Sequence, residues 1–132
     1  MVAALSQSAH EVIDGTNFAT LATLNADGSP HTAVVWVTRD GDDLLFSTTV
    51  GRHKERNLRR DPRASACVFD RENPYRYVEV RGRVEITEEG GKELIHRLSH
   101  KYTGQDYGAD SPNDVRVVLR LTPDHVTGMS LH

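Results

Sequence analysis

The sequence predicts a mainly β, α+β fold: an antiparallel barrel or highly curved sheet with short helices packed at its ends. Three observations predict it. About seven strand-like runs recur along 132 residues, tight-turn signals join several of them as hairpins, and only two or three short stretches carry helical spacing.

Ser6 followed by Ala9, Val12 and Ile13 predicts a short helix capped by Ser6 or Ser8 and ended near Gly15. Phe18 to Leu24 is strand-like, Ala26-Asp27-Gly28 is a turn, and His31 to Thr38 is a second strand rich in β-branched residues. Arg39 to Asp43 carries the Asp-Gly signal of a second tight turn into Leu44 to Thr49, so a three-stranded meander is expected. After Gly51, the basic stretch Arg52 to Arg60 reads as a short helix stopped by Asp61-Pro62. Ala64 to Phe69 reads as a buried strand. Tyr75 to Thr87 alternates long enough to be a long strand, with Val78, Val80, Val84 and Ile86 largely on one face and a register break at Gly82. Leu94, Ile95, Leu98 and Tyr102 make Glu88 to Tyr102 an amphipathic helix, with Thr87 as its expected cap. Gly104 to Asn113 is a loop, and Val115 to Leu121 and His125 to Met129 are final strands separated by Thr122-Pro123-Asp124. Residues 1–132 are expected to form one domain, with no internal repeat or linker.

Composition narrows the class. With 37% hydrophobic and 27% charged residues, the chain reads as soluble and globular. One cysteine, Cys67, cannot pair within the chain and reads as inert core, and no Cys/His ladder offers a zinc site. Apolar runs fall short of a membrane span and no secretion signal is visible, so a cytoplasmic location is expected. The net charge of -3 argues against a general nucleic-acid binder. Six of the sixteen Lys and Arg nevertheless fall between Gly51 and Arg63: Arg52, Lys54, Arg56, Arg59, Arg60 and Arg63.

That hot spot is the strongest chemical signal. In Ser47-Thr48-Thr49-Val50-Gly51-Arg52-His53-Lys54 a strand ends in hydroxyls, turns at a glycine and enters a helix carrying Arg52 and Lys54. Free backbone N–H groups, the helix dipole, hydroxyls and cations gathered at one spot suit a phosphate monoester. The competing reading is a solvated basic helix face. The Walker glycine spacing and Gly-Lys-Ser/Thr ending are missing. His31 and His53 stand near this spot as ligand contacts or surface histidines. Trp36 is either core filling or a wall of a planar-ligand pocket. His96 and His100 have metal-ligand spacing, but they sit with Glu89 and Glu93 opposite Leu94 and Leu98, and the sequence points to no third ligand. No nucleophile elbow, dinucleotide fingerprint or paired carboxylate motif supports a hydrolase or a Rossmann enzyme.

The strings FATLATLNADGSPHTAVVW, DLLFSTTVGRHKERNLRRDPRASACV and NPYRYVEVRGRVEIT resemble the split β-barrel flavin and deazaflavin oxidoreductases of the pyridoxamine 5'-phosphate oxidase-like superfamily. The resemblance runs from about Phe18 to Leu121 and is nearest to the short actinobacterial branch that uses the deazaflavin coenzyme F420; thirteen arginines against three lysines suit such a source. It implies a split barrel and a homodimer with two cofactor sites at the subunit interface. It also implies phosphate contacts from Arg52 and Lys54, helped by Ser47, Thr48 and Asn57. The strand Pro30, His31, Thr32, Val34 and Trp36 would lie along the ring system, and Tyr77 and Arg81 would approach from the partner subunit. The full pyridoxamine phosphate oxidases carry a C-terminal basic and aromatic motif that the ending TGMSLH lacks, so vitamin B6 oxidation is not expected.

The expected activity is hydride transfer between F420 and a small conjugated substrate, with no side chain assigned as acid or base. The acidic tail of F420 would use the extra charge of Arg56, Arg59 and Arg60. The alternatives are flavin mononucleotide (FMN) in the same fold, or sequestration of a cofactor, haem or other planar ligand without turnover.

Overall fold

The computed structural model describes residues 3–129. Helix α1 spans Gln7–Asp14, with the Ser6 hydroxyl accepting from the Ala9 N–H at 3.1 Å, as the capping pattern predicts. The strands are β1 (Ala19–Leu24), β2 (Pro30–Val35), β3 (Thr38–Asp40), β4 (Asp43–Thr49), β5 (Arg63–Phe69), β6 (Tyr77–Thr87) and β7 (Arg116–Met129). Helix α2 is His53–Arg60, and α3 is Gly91–Thr103. The strands form a seven-stranded sheet in the order β2-β1-β5-β6-β7-β4-β3, and every pairing is antiparallel.

Strand order explains why the sheet closes. Its two edges, β2 and β3, are consecutive in sequence with only Trp36 and Val37 between them. Three Cα steps reach at most about 11 Å. The edges therefore approach each other, and the sheet curls into a barrel with a split where Trp36 and Val37 cross. The crossing replaces the expected meander: the run His31 to Thr38 is broken at Trp36, β2 pairs with β1, and β4 pairs with β3 and β7 rather than with β2.

Helix α3 seals the split. Lys101 Nζ donates to the Ile13 and Val37 carbonyls, each at 2.7 Å. The Tyr102 hydroxyl accepts from the Val37 N–H at 3.2 Å and donates to the Asn17 carbonyl. These bonds satisfy Val37 where the chain changes sheet edges, the Ile13 carbonyl at the end of α1 and the Asn17 carbonyl in the loop before β1.

Val115–Leu121 and His125–Met129 prove to be one strand. Pro123 is tolerated because it lies opposite Gly82 at a register shift between Arg81 and Gly82, the position predicted for the break. A Cβ on Gly82 would lie 1.9 Å from the Thr122 carbonyl oxygen, so the two backbones meet only with glycine there. Thr87 does not cap α3; Gly90 does, in the left-handed conformation at φ 81°. Gly91 then lets the helix start press on β7, where a Cβ would meet the Arg116 carbonyl oxygen at 2.2 Å.

Phe46, Leu21, Leu44, Leu119, Leu121, Val78 and Val80 are fully buried inside the barrel, and Val12 and Ile13 of α1 close one end of the same core. Leu94 and Leu98 of α3 pack with Leu45 and Val118 as a second cluster. Cys67 is not core. In β5, Ala64, Ala66 and Val68 point inward, which leaves Cys67 half-exposed on the outer face. Burial and the nearby Glu79 charge push its thiol pKa up.

Candidate functional site

Two features meet at the open side of the split. The first is a pocket of about 270 Å³ whose walls include Phe18, Val34, Trp36, Ser47, Ile95 and Tyr107. Trp36 lies nearly parallel to Tyr102, with centroids 5.2 Å apart and planes 6° apart, and Tyr107 stands edge-on to it at 6.3 Å. Tyr102 in turn stacks on Phe18 at 5.6 Å. Because β2 stops at Val35, Trp36 is a wall of this pocket rather than barrel filling. Flat aromatic walls of this kind suit a planar ring.

The second is a cluster of cations at the end of β4 and the start of α2. Gly51, at φ 95°, turns the chain from β4 into α2. The turn is held by the Gly51 N–H donating to Glu55 Oε1 at 2.9 Å, while Glu55 Oε2 accepts from Arg59 Nε at 2.6 Å. Burial raises the Glu55 pKa, but these bonds outweigh it and hold the carboxyl low. Lys54, on α2, is half-buried. Its pKa is lowered by burial and then by the Arg52 and Arg116 charges. Among the described residues Lys54 has no hydrogen bond and no ion pair, and its charged neighbours are both cations.

Arg116 joins the two features. Its side chain is 11% exposed, and Nη1 donates to Ser47 Oγ at 3.2 Å. Ser47 also lines the ring pocket, and the guanidinium lies over the Tyr107 ring at 4.8 Å. Sequence reading missed both residues. Arg116 alternates with apolar residues in VRVVLRL, as any strand's outer face would, and Tyr107 lies in a loop without a motif.

The sequence-predicted residues do not all come together. Val34, Trp36 and Ser47 line the ring pocket, and Arg52 and Lys54 form the cation cluster. Thr48, one residue from Ser47, faces the core at 3% exposure, because neighbours on a strand point to opposite sides. Asn57 is also buried. It donates to Thr23 Oγ1 at 3.0 Å and Asn25 Oδ1 at 3.1 Å, tying α2 to the first hairpin. His31 stacks on His53 at 3.9 Å in the same region, and His53 Nε2 bonds Asn25 Oδ1 at 2.7 Å. The His53 pKa is lowered by burial first and then by the His31, Arg56 and Arg60 charges. His31 Nδ1 is buried without a partner.

Pro30 and Arg81 instead line a groove of about 330 Å³ on the outer face of β1, β5 and β6, together with Arg63 and Arg83. Thr32 is exposed on edge strand β2, and Tyr77 opens the far end of β6 opposite Phe69 and Met129. The surplus of free charge on α2 is smaller than its composition implies. Arg59 is paired with Glu55, and Arg60 donates to Asn57 Oδ1 at 2.8 Å and the Leu24 carbonyl at 3.1 Å. Only Arg56 of those three lacks a protein partner among the described residues.

His96 and His100 do not converge. His96 Nδ1 accepts from the Tyr107 N–H at 3.1 Å and His100 bonds Asp106 at 2.5 Å. No group of three or more His, Cys, Asp or Glu among the described residues could hold a metal ion. Nor is any described helix long and apolar enough to cross a membrane.

Comparisons with known proteins identify the family and the fold. Residues 5–130 match the family model described as pyridoxamine 5'-phosphate oxidase. Among solved structures, an F420 reductase superposes with a TM-score of 0.81 at 30% identity, over 93% of this chain and 98% of that one. A conserved hypothetical protein from Mycobacterium tuberculosis gives 0.74 at 27% identity, over 95% of this chain and 84% of that one. The General Stress Protein 26 from Bacillus anthracis, at 17% identity and a TM-score of 0.73 over 96% of this chain and 94% of that one, shares the fold.

Proposed function

Because the chain belongs to the pyridoxamine 5'-phosphate oxidase family of oxidoreductases, we propose that it is a cytoplasmic F420-dependent oxidoreductase acting on a small conjugated substrate. Lys54 carries this reading. A half-buried ammonium with only Arg52 and Arg116 for charged neighbours is costly unless an anion completes the group. The phosphate of a flavin-type cofactor supplies that anion, and the adjacent aromatic pocket takes its ring.

When bound, the deazaflavin supplies hydride chemistry. The chain's own residues bind and orient: Arg52 and Lys54 would hold the phosphate, the Ser47 hydroxyl would add a hydrogen bond, and Trp36 and Val34 would form apolar walls that exclude water. The functional unit is a homodimer with its cofactor sites at the interface. Two observations support it: Val34 on edge strand β2 is 72% exposed, and Pro30 and Arg81 lie in the outer groove, away from the ring pocket.

FMN in the same site is the second reading. The engagement of Arg59 and Arg60 within the chain favours it, because less free charge remains for an acidic tail. Fluorescence titration of the purified protein with F420 and with FMN decides between them: F420 is expected to bind at micromolar concentration or tighter, and binding of FMN alone at that level overturns the first reading. Sedimentation of the unliganded protein as a monomer at micromolar concentration would overturn the dimer.

A further inference from the structure

Arg116 uses its two edges differently. Nε and Nη2 clasp Asp110 at 2.8 and 2.7 Å, while Nη1 turns to Ser47 and the guanidinium lies in the field of Lys54. Asp110 belongs to the loop over residues 104–114, whose Tyr107 ring lies against Arg116 on one side and edge-on to Trp36 on the other. The loop is therefore fastened at three points: the Arg116–Asp110 pair and the Arg116–Tyr107 stack on β7, and the Tyr107 N–H on His96 Nδ1 of α3.

A planar bidentate fork makes such a connection where a lysine would not, because its donors are fixed relative to one another. The fork lies between the place where a phosphate would sit and the loop that walls the ring pocket. An anion placed among Lys54, Arg52 and Ser47 can bond the Nη1 edge while the other edge stays on Asp110. It also offsets the repulsion between Lys54 and Arg116.

We propose that Tyr107 is the acceptor-facing wall of the ring pocket and that Arg116 is its positioning residue, coupling an occupied anion site to a closed 104–114 loop. This rests on the reading of the cation cluster as a phosphate site. Acceptors that bind are then flat, conjugated molecules that fit beside the Tyr107 edge and ring over Trp36.

The coupling is tested with inorganic phosphate by hydrogen exchange of residues 104–114, and by the fluorescence of Trp36, the one tryptophan in the chain. Phosphate is expected to slow exchange in the loop at least threefold and to shift Trp36 emission. Arg116→Lys keeps the charge and loses the fork. It should lose the phosphate-dependent protection. Asp110→Asn should lose that protection too, with FMN affinity unchanged.

Tyr107→Leu should raise KM for menadione about tenfold with either reduced cofactor held at saturation. Loop protection that survives in both Arg116→Lys and Asp110→Asn overturns the coupling, and an unchanged menadione KM in Tyr107→Leu overturns the wall. If neither F420 nor FMN binds the parent protein but phosphate still protects the loop through Arg116, the coupling stands and the cofactor reading fails.

Discussion

Two lysines sit at similar depth on two helices of this protein, and they do opposite things. Lys101 on α3 and Lys54 on α2 are both half-buried, and burial lowers the pKa of each, that of Lys101 to about 8. Lys101 spends its protons on the Ile13 and Val37 carbonyls, lies 5.1 Å from the centre of the Tyr102 ring, and feels the Asp14 carboxylate. Lys54 has no acceptor among the described residues and faces two arginines. Burial alone therefore does not mark a functional cation; an incomplete set of partners does. Lys101 completes the barrel, and Lys54 is completed by something the chain does not supply.

Replacing each lysine should separate the two roles. Lys101→Met leaves two carbonyls at the split without their donor, and at about 1 to 3 kcal/mol for each such group the expected loss of stability is about 3 kcal/mol, read as a lower urea midpoint. Tyr102 keeps part of its hold on Val37, which limits the damage. Lys54→Ala should instead weaken cofactor binding by about 1.5 to 3 kcal/mol, the scale of a charge-assisted hydrogen bond, with the urea midpoint unchanged or slightly raised. Unchanged affinity for both F420 and FMN would return the basic segment to a solvated surface. A large stability loss in Lys54→Ala would erase the contrast with Lys101.

A smaller effect is expected at Asn57, which sequence reading grouped with the phosphate contacts. Its amide is spent on Thr23 and Asn25, and its carbonyl oxygen accepts from Arg60. Asn57→Ala should therefore cost about 1 to 2 kcal/mol of stability. Cofactor affinity, measured where the variant remains folded, should change less than it does in Lys54→Ala.

The same contrast explains how much could be read from the sequence. The first hairpin, α2 and the break at Gly82 were legible because each depends on local chemistry: a turn sequence, a proline stop, a glycine in an alternating strand. The split was not legible. Trp36 and Val37 continue the β-branched pattern of His31 to Thr38, and nothing local tells that the chain there changes from one sheet edge to the other. The final strand was divided at Pro123 because a proline normally ends a ladder; here the bulge opposite Gly82 absorbs the missing N–H. Arg52 and Lys54 stood out as a cluster of charge in sequence. Arg116 could not, since sixty-two residues separate it from Lys54 and only the β4–β7 pairing brings Thr49 opposite Arg116. Composition also overstated the free charge on α2, since it does not show that Glu55 and Asn57 engage Arg59 and Arg60.

The smallest expected effect is a pH dependence. A lysine whose folded pKa lies below its unfolded value binds fewer protons in the folded state, so unfolding takes up protons between the two values and stability rises with pH across that window. For Lys101 the window runs from about 8 to the ordinary lysine value of 10.5. Its burial penalty is fully present below pH 8 and is relieved as pH rises. Tyr102 opposes this at the upper end: burial raises its phenol pKa above 10.0, so its ionisation on unfolding lowers stability as pH passes that value. Cys67, whose thiol is raised above 9.0, opposes it too, but both groups are common to parent and variant, so the effect is read as their difference between pH 8 and 9.5. There the urea midpoint of the parent protein should gain on that of Lys101→Met, because the variant lacks the titrating amine. Lys54 is lowered for the same first reason, so Lys54→Met should remove a part of the rise that Lys101→Met leaves in place. A bound phosphate reverses that part alone, since an anion beside Lys54 raises its pKa again while Lys101, at the split, is untouched. Midpoints measured with and without inorganic phosphate should differ in slope for the parent and for Lys101→Met, and coincide for Lys54→Met. Equal slopes in all three proteins would mean that the two lysines share one environment, and the distinction between them would fail.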